Sequence, residues 1–350
     1  MNVLMLPDYS QSNPYQKELA AALEKNGARV VFGNFNKLPV LRAVWAFWKP
    51  DVLHLHWTDV YFVAESWPKT ILKSVRFLIE IMIVKLLRVK IIWTLHNISN
   101  HEKVKPGYER FINWILLHFY DQIIVHCSTA KDILIRVFDL PSEFKNKIHV
   151  VPHGHYAGYY KNQITQLEAR AKLSIGNDEL VFLYFGSIRP YKGIFDLVDA
   201  FRALEDSRLR LLIVGNPVNS EIKTEILRFC QIDNRIMTFL QYIPDDEIQI
   251  FMNAADVAVL PFTDILTSGS VLLAMSFGKA IIVPGIGCVS ETLDDRGGIL
   301  YDLKIADGLL NSMRKALSCN LSDMGHYNFL EVKKFDWMDI AKLTLQVYAA

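Results

Sequence analysis

Two short segments in the second half of the chain carry residues suited to holding phosphate. The first is Phe185-Gly186-Ser187-Ile188-Arg189-Pro190-Tyr191-Lys192-Gly193, which directly follows an apolar run at 181–185 that reads as a strand. A glycine at a strand end lets backbone approach a ligand closely. Arg189 and Lys192 stand three apart in the following turn, so both can point into one crevice. When a nucleoside diphosphate leaves, negative charge develops, and an Arg/Lys clamp stabilises it in the transition state. Taken alone, the segment reads equally well as a solvated basic loop before a helix.

The second segment, Thr267-Ser268-Gly269-Ser270-Val271-Leu272-Leu273-Ala274-Met275, follows a strand and Pro261. Small hydroxyl residues and a glycine open a helix whose first N–H groups have no intrahelical acceptor, which makes an anion site. The plainer reading is a well-capped core helix, since Ser and Thr are ordinary N-caps. Taken with Arg189 and Lys192 from another strand end of the same domain, phosphate binding becomes the better reading.

The first half offers three strand ends bearing histidine. Asp51-Val52-Leu53-His54-Leu55-His56-Trp57-Thr58-Asp59 puts His54 and His56 on one face with Asp59 just beyond, His96 closes a second strand, and His126 a third. A single strand histidine is more often a satisfied core residue, but several at strand ends point to a site. The candidates for a general base are His56, Asp59, His96 and Glu102, since such a base must reach the acceptor hydroxyl. A metal site is the weaker reading, because the histidines sit on different strands without helical H-x-x-x-H spacing.

The elements that must position these groups alternate. Apolar runs at 3–6, 30–32, 52–56, 90–95, 122–126 and 148–151 are separated by helical patterns, and the same grammar repeats at 181–185, 211–214, 236–240, 257–260, 280–283 and 298–301. Strands alternating with helices predict an α/β protein with parallel, doubly wound sheets. A length of 350 residues favours two domains. They are set at 1–157 and 172–335, with a crossover rich in glycine and tyrosine between, and 336–350 as an amphipathic helix able to cross back to the first domain. Two Rossmann-like domains in tandem place ligands in a cleft at the carboxyl ends of their strands.

Composition narrows the class further. Hydrophobic content of 51% against 21% charged describes a globular chain, and a net charge of +1 offers no long-range field for nucleic acid. Four scattered cysteines with no C-x-x-C pair fit neither a zinc site nor a disulfide framework and point to a reducing compartment. The start reads as a first strand, not a signal peptide, and the run at 75–87 is broken by Arg76, Glu80 and Lys85, short of a membrane span. The expected place is therefore the cytoplasm. Lys69, Lys73 and Arg76 nevertheless share one face of a long helix beside an apolar stripe of Leu72, Val75, Leu78, Ile79 and Met82, with Trp45, Phe47 and Trp48 upstream. Such a helix can lie peripherally at the inner face of a membrane, or its stripe can simply face the sheet.

Order and spacing now carry a likeness. Val151-Pro152-His153-Gly154, the Phe185 to Gly193 segment, Phe239-Leu240-Gln241-Tyr242-Ile243-Pro244-Asp245-Asp246-Glu247, Ala254-Ala255-Asp256-Val257-Ala258-Val259-Leu260-Pro261, Ala274-Met275-Ser276-Phe277-Gly278-Lys279-Ala280 and Glu291 together resemble GT-B glycosyltransferases of the family 4 type. The resemblance implies a GT-B fold, with a nucleotide-sugar donor site in the second domain formed by Gly186, Arg189, Lys192, Thr267, Ser268, Gly269 and Ser270. It implies that the backbone near Tyr242 faces the base, and that no metal or other cofactor is needed beyond the co-substrate. It also favours His56 and His96 as functional histidines. One departure matters: the family's two glutamates, eight positions apart, are here Ile265 and Leu273. That puts the family's retaining outcome in question and opens an inverting one. The expected activity is hexosyl transfer, from GDP-mannose or a UDP-hexose to a carbohydrate or lipid-linked sugar, in polysaccharide or glycolipid assembly. The rivals are a sugar-nucleotide epimerase of the same architecture and a non-catalytic nucleotide-sugar scaffold.

Overall fold

The structure is a computed structural model that describes residues 1–11, 13–98 and 105–350. The chain divides into two compact units, Met1–Gly154 with Phe335–Ala350, and His155–Lys334.

The first unit runs β1 (Asn2–Leu6), α1 (Pro14–Lys25), β2 (Arg29–Phe32), α2 (Pro39–Ala46), β3 (Val52–Leu55), α3 (Trp67–Leu86), β4 (Lys90–Thr94), α4 (Pro106–Leu117), β5 (Gln122–Val125), α5 (Ser128–Phe138) and β6 (Ile148–Val150). Its strands form one parallel sheet in the order β2-β1-β3-β4-β5-β6. The order reverses between β1 and β3, and the loops after those strands are where such sheets leave a crevice. Asn13 starts α1: its side chain accepts from the Tyr15 amide at 3.0 Å, and Pro14 fills the first helical position.

The second unit runs α6 (Gln166–Leu173), β7 (Leu180–Phe185), α7 (Ile194–Arg202), β8 (Leu209–Val214), α8 (Ser220–Cys230), β9 (Ile236–Phe239), α9 (Ile248–Ala254), β10 (Val257–Val259), α10 (Gly269–Ser276), β11 (Ala280–Pro284), α11 (Val289–Thr292), β12 (Gly298–Tyr301), α12 (Gly308–Ala316) and α13 (Leu321–Val332). Its sheet is also parallel, ordered β12-β11-β10-β7-β8-β9, with its switch point between β7 and β10. The final helix, α14 (Trp337–Ala349), belongs to the first unit, where Trp337, Ile340, Val347 and Tyr348 join the core with Tyr15 and Leu19 of α1.

The stretch after Gly154, expected as a crossover, is part of the second unit. A capping box starts α6: Thr165 accepts from the Glu168 amide, and the Glu168 carboxylate accepts from the Thr165 amide. Arg170 then ties α6 down through its ion pair with Asp256 at 2.7 Å and a hydrogen bond to the Ala254 carbonyl. Among the described residues, no helix is long and apolar enough to cross a membrane.

Candidate functional site

In the second unit the two phosphate-suited segments meet at the switch point. Gly186 ends β7 with φ at 141°, a conformation side chains rarely adopt. A Cβ built there would lie 3.3 Å from Ser270 Oγ and 3.5 Å from Lys192 Nζ. The absent side chain of Gly186 therefore leaves room between the first turn of α10 and the lysine that follows β7. Gly193, at φ 66°, lets the turn close, because any Cβ there would strike the Pro261 carbonyl.

The electrostatics of this space favour an anion. Burial and the neighbouring Arg189 charge pull the Lys192 ammonium down to about 8, and among the described residues no carboxylate pairs with it. The ammonium lies over the Phe262 ring, 5.9 Å from Nζ to centroid. Ser268 caps α10, its hydroxyl accepting from the Val271 amide at 3.2 Å. The amides of Gly269 and Ser270 stay unclaimed by the described residues and form the anion-attracting end of the helix. The Lys192 ammonium and the Ser270 hydroxyl thus border the space that Gly186 leaves, with the two free amides in the same turn as Ser270 and the Arg189 charge acting on the lysine.

Thr267 Oγ1 sits 3.6 Å from Cys288 Sγ. Tyr242, on the loop after β9, is 71% exposed, and burial with the charges of neighbours including Asp245 and Tyr242 raises the Tyr160 phenol. Tyr156 escaped sequence reasoning; a Cβ on Gly269 would lie 3.3 Å from its hydroxyl, which therefore sits over the start of α10. A tyrosine in an irregular stretch offers no local signal for such a placement. Leu273, at one lost glutamate position, is buried apolar packing, and Ile265 is half-buried.

The first unit gathers imidazoles instead. His54, His56, His96, His126 and His153 are drawn from β3 and from the residues following β3, β4, β5 and β6, and Tyr15 presents its ring to four of them at 4.7 to 5.8 Å. Their roles separate by hydrogen bonding. His54 is satisfied on both nitrogens, by Tyr348 Oη at 2.6 Å and Thr94 Oγ1 at 2.7 Å, so it ties α14 to the sheet. His56 Nδ1 and His96 Nε2 lie 3.1 Å apart and share one proton, while His56 Nε2 is buried with no partner. Trp57 stacks flat on His96 at 4.1 Å. Burial and the charges of neighbouring histidines hold His56 and His96 neutral, well below the usual imidazole range.

The sequence candidates therefore divide. His56 and His96 are brought into direct contact, whereas Asp59 stands near Tyr9, whose phenol is raised by burial and by that carboxylate. Glu102 lies outside the described residues. Tyr15 and His153 were missed as site residues. Asn13 and Pro14 start the helix that carries Tyr15, but nothing local says that Tyr15 turns into a histidine cluster.

Two units, each with a doubly wound parallel sheet, make the GT-B architecture. Residues 165–328 match the family described as glycosyl transferases group 1, and the chain is an enzyme of the family 4-like kind. It is 28% identical over 307 residues to a GDP-mannose:glycolipid 4-beta-D-mannosyltransferase of Xanthomonas campestris pv. campestris, covering 85% of this chain and 79% of the relative. A lipopolysaccharide 1,2-N-acetylglucosaminetransferase of Salmonella typhimurium is 27% identical over 212 residues, covering 56% of this chain and 54% of the relative. Among solved structures, Anabaena HepE in complex with UDP-glucose superposes with a TM-score of 0.77 at 16% identity, covering all of both chains. Sucrose-phosphate synthase from Thermosynechococcus elongatus gives 0.77 at 16% identity, covering 99% and 98%. At that identity the two structures speak for the fold alone.

Proposed function

We propose that this enzyme transfers a hexose from a nucleoside-diphosphate sugar to a lipid-linked sugar, with inversion at the anomeric carbon. The observation that carries the proposal is the space at Gly186, bounded by Lys192 Nζ and Ser270 Oγ. GDP-mannose is the leading donor, because the relative matched over most of both chains is named for GDP-mannose and a glycolipid acceptor. The same name specifies a β-mannosyl product, and forming one from an α-configured donor requires inversion.

In this reading Arg189, Lys192 and the free amides of α10 hold the diphosphate and stabilise the charge that grows on its leaving oxygen. They supply locally the positive charge that a divalent cation brings elsewhere, so the reaction is expected to proceed in EDTA. His96, the less enclosed of the paired histidines, takes the proton from the acceptor hydroxyl, and His56 accepts the hydrogen bond from the far side of its ring. The acceptor oxygen bonds to the anomeric carbon as the carbon–phosphate-oxygen bond breaks, and the diphosphate departs with the electron pair. Apolar residues at 265 and 273 leave the retaining family's two carboxylates without a counterpart, consistent with inversion.

The test is thermal unfolding with GDP, UDP, ADP and their sugar conjugates, on the natural chain and on Arg189→Ala/Lys192→Ala. A ligand at a hundred times its dissociation constant adds about 2.7 kcal/mol. Stabilisation by GDP and GDP-mannose that disappears in the double variant supports both donor and clamp. A response to UDP alone would overturn the donor assignment, and a full response in the double variant would overturn the clamp.

A further inference from the structure

The chain crossing from β2 to β3, from β3 to β4 and from β4 to β5 moves in one direction across the first sheet. Right-handed crossovers therefore put α2, α3 and α4 in one layer on one side of it. The layer is tied together: Glu80 of α3 accepts from the Val40 and Leu41 amides of α2 at 2.8 and 3.0 Å, and Trp67 of α3 meets Tyr108 of α4 at 5.5 Å. The inward face of α3 is Thr70, Ser74, Phe77, Glu80, Ile81 and Val84. Its opposite face is apolar and exposed, with Ile71, Leu72, Val75, Ile79, Met82 and Leu86 each at least half accessible. Leu72 is 72% exposed, and Trp48 just after α2 is 92% exposed. Trp45 and Trp67 are more than half exposed as well, and α4 adds Phe111 and Trp114.

The exposed charges on the three helices are one-sided, with Asp51 and Glu65 exposed in the loops beside them. The only acids in α2, α3 and α4 are Glu80 and Glu109, and both are buried. Exposed bases stand at Arg42, Lys49 and Lys69. The basic row foreseen on α3 is only partly available: Lys73 donates to the Val60 and Val63 carbonyls, and Arg76 pairs with Glu80 at 3.4 Å. Of the foreseen apolar stripe, Leu72, Val75, Ile79 and Met82 do face outward, and Leu78 is half-buried.

We infer that the outer face of α2, α3 and α4 is a docking surface for an anionic lipid bilayer. Tryptophans among aliphatic side chains, with cations at the rim and no exposed acid on the three helices themselves, match the boundary between headgroups and acyl chains. An isologous pairing of two copies would set this cationic rim against itself. The surface rests on the proposed lipid-linked acceptor for its purpose, but not for its existence: it would hold the enzyme where such an acceptor is embedded.

Co-sedimentation separates the two ideas. Vesicles of phosphatidylglycerol and phosphatidylcholine in equal parts are expected to carry down the natural chain, and pure phosphatidylcholine vesicles to carry down less. Trp48→Ser/Leu72→Glu/Ile79→Glu should lower the bound-to-free ratio about tenfold or more while its nucleotide-induced thermal shift stays unchanged. Arg42→Glu/Lys49→Glu/Lys69→Glu should remove the preference for the anionic vesicles. A natural chain that stays in the supernatant with both vesicle types overturns the inference. So does a dimer in solution that Leu72→Glu splits into monomers. Vesicle binding without any nucleotide response would leave this surface standing and remove the proposed function instead.

Discussion

Both sheets of this enzyme use the ends of parallel strands, yet they collect opposite chemistry there. The first gathers five imidazoles, four of them around one tyrosine, and keeps them neutral by burial, His54 to about 3 and His126 to about 4. The second brings Lys192 and the start of a helix around a glycine, with the Arg189 charge acting on the lysine, whose ammonium is drawn down to about 8. A neutral imidazole can accept a proton, whereas a fixed cation can only attract charge. The contrast is the one expected when one unit must take a proton from an acceptor and the other must hold a departing diphosphate.

The largest test of that contrast is Arg189→Ala/Lys192→Ala. Two groups each worth about 10²- to 10³-fold on developing charge should together lower kcat/KM by roughly 10⁴-fold, with nucleotide affinity falling too. Steady-state kinetics with binding measured alongside checks this. His96→Ala should cost on the order of 10³-fold in kcat while leaving the nucleotide-induced thermal shift intact. If instead it abolishes nucleotide binding, the division of labour between the units is wrong.

Acid should also tell the units apart. His54, His126 and His153 have folded pKa values of about 3 to 4, below the usual 6.5, so the unfolded chain binds more protons as pH falls from 6.5. Their contribution to stability is complete above that pH and is lost on acidification, at about 4 kcal/mol per pH unit for the three together. Calorimetry across this range should show the transition of the first unit falling ahead of that of the second, which contains only His155 and His326. The smallest effect belongs to Ser268→Ala. Removing that cap should take about 1 kcal/mol from the second unit and leave the acid-sensitive transition where it was.

What could be read from the chain tracks how local each feature is. The strand-turn pattern around Gly186 and the small-residue start of α10 are self-contained, and so both were visible in sequence order. Their meeting at Gly186 depends on β7 and β10 being neighbours, which the alternation of elements implies but does not specify. Three helices begin without a common start signal. Leu38 enters α2 through a left-handed residue with no side-chain cap, Asp307 does the same for α12, and a cysteine sulfur caps α5. The reverse holds at Thr165 and Glu168, where a readable capping box lay inside a stretch taken for a linker. The histidines showed themselves one strand end at a time. Their assortment into a satisfied tie, His54, and a proton-sharing pair, His56 and His96, depends on Tyr348 and Thr94, which are distant in sequence.

The last helix adds a consequence for synthesis. Trp337 fills the space that Gly154 leaves by having no side chain, Tyr348 hydrogen-bonds His54, and the Tyr348 carbonyl accepts from Lys90. The sheet translated first is therefore completed by residues that follow the whole second unit in the chain. At ~5–20 residues per second the wait for them lasts on the order of tens of seconds. Through that interval the face of α1 that α14 will cover has no partner, so the nascent first unit carries an exposed apolar face.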